Sequence, residues 1–98
     1  MTDRTITTVN PATETELARY ERMNDDQMFE ALKACHDAFD EWRLTPATRR
    51  AEIIARNGQQ LSSRKEELAQ LMTDEVGKLI GDSRDEVDLC AAICEWTA

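Results

Sequence analysis

The sequence predicts a mainly α fold with a short N-terminal β-hairpin. Three observations carry that reading. From Met28 onward, apolar residues recur at i, i+3, i+4 and i+7, the period of a helix face. Thr5-Ile6-Thr7-Thr8-Val9 is β-branched throughout and so prefers extended backbone. Capping and stop residues then stand between the apolar runs and divide residues 24–98 into four helices.

The hairpin occupies residues 5–20. Asn10-Pro11 ends the first strand, because proline has no N–H for a ladder and asparagine favours turns. Glu16-Leu17-Ala18-Arg19-Tyr20 alternates polar and apolar and returns as the second strand. A lone hairpin is marginal in water, so this one needs a surface to lie on.

Asn24 caps the first helix, with Gln27 three residues on to reach back and Asp25 and Asp26 at the positive end of the dipole. Met28, Ala31, Leu32, Cys35, Ala38, Phe39 and Trp42 form one stripe over four turns. Thr45 and Pro46 open the second helix, as cap and first helical residue, with Ala47, Ala51, Ile54, Gly58 and Leu61 as its buried line. Gly58 costs roughly 1 kcal/mol of helix propensity against alanine, so it implies a close helix contact.

Ser63 with Glu66 reads as a capping box for the third helix, whose face is Leu68, Leu71, Met72 and Val76. Gly77 ends that helix in the left-handed conformation, and Lys78-Leu79-Ile80-Gly81 links it to the last one. The final stretch, Asp82–Ala98, carries two apolar stripes: Val87, Cys90, Ala91, Cys94 and Ala98 on one side, Leu89, Ile93 and Trp96 on another. A helix apolar over most of its girth is buried in a larger protein. The chain reaches Ala98 without a Gly, Asn or Pro stop signal, so the expectation is a sandwiched helix cut in mid-course.

Composition narrows the function. A net charge of −8 argues against nucleic acid and anionic membranes, whose partners supply Lys and Arg. No apolar run approaches the roughly 20 residues of a membrane span, and Met1–Thr8 has no signal-peptide h-region. The three cysteines fit reduced thiols in the cytoplasm.

The side chains offer little chemistry. Cys90 and Cys94 are i, i+4 on one face, but zinc needs four ligands and His36 is the single histidine. Cys35 and His36 are helix neighbours about a third of a turn apart, so they do not face each other as nucleophile and base, and His36 is within reach of Asp40. Gly58, Gly77 and Gly81 make no phosphate loop. Free cysteine packs as a small hydrophobe, the plain reading of all three thiols.

Several stretches taken together resemble the NAD(P)-dependent aldehyde dehydrogenases. Asn10-Pro11-Ala12-Thr13 resembles the family's opening Asn-Pro-Ala-Thr-Gly-Glu, and Ala38-Phe39-Asp40-Glu41-Trp42 its Ala-Phe-x-x-Trp. Arg50–Ile54 and Glu67–Lys78 are similar to its second and third helices, Glu75-Val76-Gly77-Lys78 being the sharpest piece. Arg84–Val87 and Cys94–Ala98 resemble the helix that follows. Phe39–Arg43 and Glu95-Trp96-x-Ala98 incline the likeness towards succinate-semialdehyde dehydrogenases. Glu14 departs from the family's turn glycine and Leu79 from its Lys-Pro.

The resemblance implies that residues 1–98 are an N-terminal fragment of an aldehyde dehydrogenase domain, the helical part of an α/β coenzyme domain. It implies an enzyme, homo-oligomeric at full length, that oxidises a small aldehyde to its acid with NAD or NADP. In such enzymes a cysteine thiolate attacks the carbonyl, hydride leaves to the nicotinamide, and glutamate-activated water releases the acid. Those groups lie beyond residue 98, and none of Cys35, Cys90 or Cys94 aligns with the nucleophile. The expectation is therefore no catalytic, cofactor-binding or metal-binding residue in this segment and no activity from it alone. Two minor roles follow from the same likeness. Thr8, Val9 and Glu75 match positions that hold a monovalent cation in some members, and Leu89 and Ile93 lie on the helix bordering the substrate tunnel. The rival reading is a stand-alone acidic helical module binding a partner protein through its last helix. Coding sequence downstream of Ala98 discriminates the two.

Overall fold

The computed structural model describes residues 4–98, and its elements follow the local signals closely. Residues 1–3, on which part of the leader-peptide reading rests, lie outside the described residues. Strands β1 (Thr5–Val9) and β2 (Glu16–Glu21) pair antiparallel, with an irregularity between Thr8 and Val9. Asn10 builds the turn: its Oδ1 accepts from the amides of Ala12 at 2.9 Å and Thr13 at 3.2 Å. Glu14 closes it at φ 61°, in the left-handed region that favours glycine. A side chain there costs about 1–2 kcal/mol, partly offset by the chain entropy that glycine loses on folding. Glu14→Gly is thus expected to stabilise the protein by about 0.5–1 kcal/mol in urea denaturation. No gain would mean that the carboxylate makes up the strain.

Helix α1 (Asp25–Trp42) begins with the predicted capping box: the Gln27 amide donates to Asn24 Oδ1 at 2.8 Å, and the Asn24 amide to Gln27 Oε1 at 2.9 Å. Helices α2 (Ala47–Ser63), α3 (Lys65–Val76) and α4 (Ile80–Thr97) follow, and Gly77 at φ 78° ends α3 as expected. The four helices and the antiparallel hairpin bear out the mainly α reading.

The elements lie side by side in one layer. β1 rests on α3, α3 packs on α4, and α4 packs on α2. The molecule measures 48 × 41 × 14 Å, with a radius of gyration of 17.7 Å. A compact chain of this length has about 13 Å. It exposes 8052 Å², where a compact monomer of its mass exposes about 5700 Å². Domains bury their elements between two or more layers, so most side chains here have packing on one side at best.

What core there is lies where α4 crosses α2 and α3. Ala69 and Ser83 are 0% exposed and Val87 is 4% exposed, with Gly58 also buried. All are small, so the helices approach closely. The hydroxyls of Thr73 and Ser83 bond each other at 2.9 Å inside the α3–α4 contact, satisfying the buried serine. Outside it, Arg84 pairs with Glu66 at 3.1 Å and Lys65 with Asp88 at 2.6 Å, while Lys78 pairs with Glu86. Such exposed pairs are worth about 0–1 kcal/mol each. They align the helices more than they hold them.

Several expectations need correction. Thr45 does not cap α2: its hydroxyl donates back to the Glu41 carbonyl at 3.2 Å, and Pro46 itself occupies the cap position. Ser63 and Glu66 form no capping box, because Ser63 is still helical and bonds the Gln60 carbonyl at 3.0 Å. The chain passes from α2 to α3 through Arg64 alone. Leu71 and Val76 are exposed, since α4 packs on the Ala69 and Thr73 side of α3. Ala47 is exposed in the first turn of α2. α4 starts at Ile80, so the preceding link is shorter than Lys78–Gly81. Cys90 is exposed, because the inward line of α4 runs Ser83, Val87, Ala91, Cys94 and leaves Cys90 off to one side.

The largest correction concerns α1. Its stripe is regular, yet the helix has no buried residue, and Cys35 is exposed with the rest. Among the described residues no element buries the face, which meets the start of α2 at its C-terminal end alone, through Cys35, Phe39 and Trp42. An 18-residue helix with so little of its face packed depends heavily on its ends. Asn24→Ala is expected to cost about 1 kcal/mol, read as faster amide exchange across residues 25–42, while Asn24→Asp keeps the protection. Equal protection in all three proteins would show that α1 is held otherwise.

Candidate functional site

Two surface depressions among the described residues are candidate places for chemistry. One is an open groove between α2 and α4, floored by Gly58 and Ala91 and edged by Gln59, Ser62, Asp88 and Glu95. Its shape follows from the small residues that bring the two helices together. Its polar groups are the serines Ser62 and Ser63, an amide and two carboxylates, and it holds no histidine or cysteine to act as base or nucleophile.

The second depression lies where the end of α1 meets the start of α2, lined by Cys35, Phe39, Trp42, Arg49 and Ile53. It contains a thiol, but His36 is not part of its wall. Arg49 is turned to Glu52 at 2.9 Å. Asp40, the expected neighbour of His36, lies 3.9 Å from Arg43. Beside its apolar wall the cleft carries Glu41 and Thr45, and among the described residues no hydrogen bond joins the Glu41 carboxylate to the Cys35 thiol.

Of the other thiols, Cys94 Sγ accepts from Asn57 Nδ2 at 3.4 Å across the α2–α4 contact, and Cys90 points outward. Among the described residues no group of three His, Cys, Asp or Glu side chains could hold a metal. No described helix is long and apolar enough to cross a membrane.

Titration is displaced at two exposed ion pairs. Arg19 bonds Glu16 at 2.6 Å, holding that carboxyl below its ordinary value and its own guanidinium above. Arg64 does the same to Glu67, also at 2.6 Å. Functional sites shift groups by burial and convergence of charge in a cleft. These shifts come from solvent-facing partners three residues apart, so they mark surface pairs.

The sites the resemblance implied are placed as follows. Thr8 and Val9 are on β1 and Glu75 is on α3, the two elements that touch. Thr8 Oγ1 is directed at the Ala18 carbonyl, 3.4 Å away, and Val9 is exposed. Leu89 and Ile93 stand on the free side of α4 with Trp96, at 60%, 54% and 89% exposure, so the second apolar stripe is bare. The buried Ser83 was missed. Stepping back four residues from Val87 along the inner stripe would have found it.

A dinucleotide does not fit the residues present. Phosphates are cradled where a parallel strand turns into a helix through glycines, whereas the described sheet is an antiparallel hairpin. Gly58 is buried against α4, Gly77 ends α3, and Gly81 lies inside α4.

The comparisons with known proteins agree on one origin. The model of the aldehyde dehydrogenase family matches residues 1–98. The succinate semialdehyde dehydrogenase of Escherichia coli (strain K12) is 38% identical over 90 residues, which are 92% of this chain and 20% of that protein. Malonate-semialdehyde dehydrogenase 2 of Geobacillus thermodenitrificans (strain NG80-2) is 39% identical over 89 residues, 91% of this chain and 18% of that protein. The crystal structure of a NAD-dependent benzaldehyde dehydrogenase from Corynebacterium glutamicum superposes with a TM-score of 0.91 at 28% identity, covering 96% of this chain and 20% of that one. The chain thus spans about a fifth of the length of the relatives it matches. With the hairpin, the four helices and the family match all along its length, the chain belongs to the aldehyde dehydrogenase family.

Proposed function

We propose that this chain is the N-terminal structural segment of an NAD(P)-dependent aldehyde dehydrogenase that oxidises a short semialdehyde, succinate semialdehyde first among them, to its acid. The observation that carries the substrate is the 38% identity to the Escherichia coli succinate semialdehyde dehydrogenase across 92% of the chain. A second semialdehyde enzyme at 39% supports the class. Both names describe a short aldehyde with a carboxylate at its far end. The segment's own part is packing. The single layer, the bare stripe of α1 and the bare side of α4 give a second layer of the same polypeptide its seat. The thiol attack and the hydride transfer belong to that remainder, and the 98 residues alone do not catalyse. The free thiols of Cys35, Cys90 and Cys94 accord with a reducing compartment, the cytoplasm.

Two arms test the reading. The purified chain, given succinate semialdehyde with NAD+ or NADP+, is expected to form no reduced nicotinamide above the blank; steady turnover would refute the packing role. Grafted in place of the matching fifth of the Escherichia coli enzyme, the segment is expected to leave a folded chimera active on succinate semialdehyde. A folded chimera that turns over benzaldehyde instead would reassign the substrate.

A further inference from the structure

We draw no further inference here: the strongest candidate, the uncovered apolar stripe of α1 from Met28 to Trp42, belongs to the packing surface already assigned to the rest of the polypeptide, and nothing in the structure shows another occupant covering it.

Discussion

Replacing Gly58 by valine is expected to destabilise the protein by about 2–3 kcal/mol, the upper part of the range for overpacking a filled contact. An ideal Cβ at Gly58 would stand 2.9 Å from the Cβ of Cys94 and 3.2 Å from the carbonyl oxygen of Ala91. The first neighbour is a short side chain and the second is backbone, so neither can swing aside. α4 cannot withdraw freely either, because its other contacts hold it against α3 through Ser83 and Thr73. Two effects oppose each other when alanine is used. Helix propensity returns about 1 kcal/mol, while the overlap costs about 1–3 kcal/mol. Gly58→Ala should therefore fall between neutral and about 2 kcal/mol destabilising. Urea denaturation of the two variants should place valine below alanine, and alanine level with glycine or below it. Pairing Gly58→Ala with Cys94→Gly removes the nearer clash and should recover part of the loss, a coupling of about 0.5–1 kcal/mol. A valine variant with an unchanged midpoint would mean that α2 and α4 are not in contact in solution.

Local signals in this sequence were legible where the residue and its partner lie within a few positions. The Asn24–Gln27 box, the Gly77 stop and the Asn10-Pro11 turn are of that kind, and each stands where the sequence puts it. Thr45 and Ser63 failed for a shared reason. A hydroxyl near a helix junction can serve the helix ahead or the helix behind, and both chose the carbonyls behind. Periodicity named the face that α1 and α4 offer, but it carries no information about what lies opposite. That is why Val87 and Leu89, both apolar and two residues apart, end at 4% and 60% exposure. Of the candidate site, the sequence showed that Cys35 and His36 share one helix and Cys90 and Cys94 another, as α1 and α4 have them; it could not show the two depressions, because each forms between helices distant in sequence or at a helix junction.

The bare faces make their own prediction. The isolated chain should bind an apolar dye and self-associate, with Leu89, Ile93 and Trp96 of α4 contributing a large share. Its surface exceeds that of a compact monomer by about 2400 Å², well above the roughly 800 Å² that each partner commits to a stable interface. Charge opposes the association, since every copy carries −8. The two terms respond differently to salt. Burial of apolar surface is not weakened by it, while the repulsion is screened as the Debye length falls from about 10 Å at 0.1 M to about 3 Å at 1 M. Sedimentation should therefore show the oligomer growing as salt is added, the reverse of an interface held by ion pairs. Replacing Leu89, Ile93 and Trp96 together by glutamine should cut the dye signal several-fold and shift the chain towards monomer, with α2, α3 and their buried contacts to Ser83 and Val87 left in place. A chain that stays monomeric and dark to the dye at both salt concentrations would mean that these faces close on each other in solution, and the single layer would then be the wrong description of the free segment.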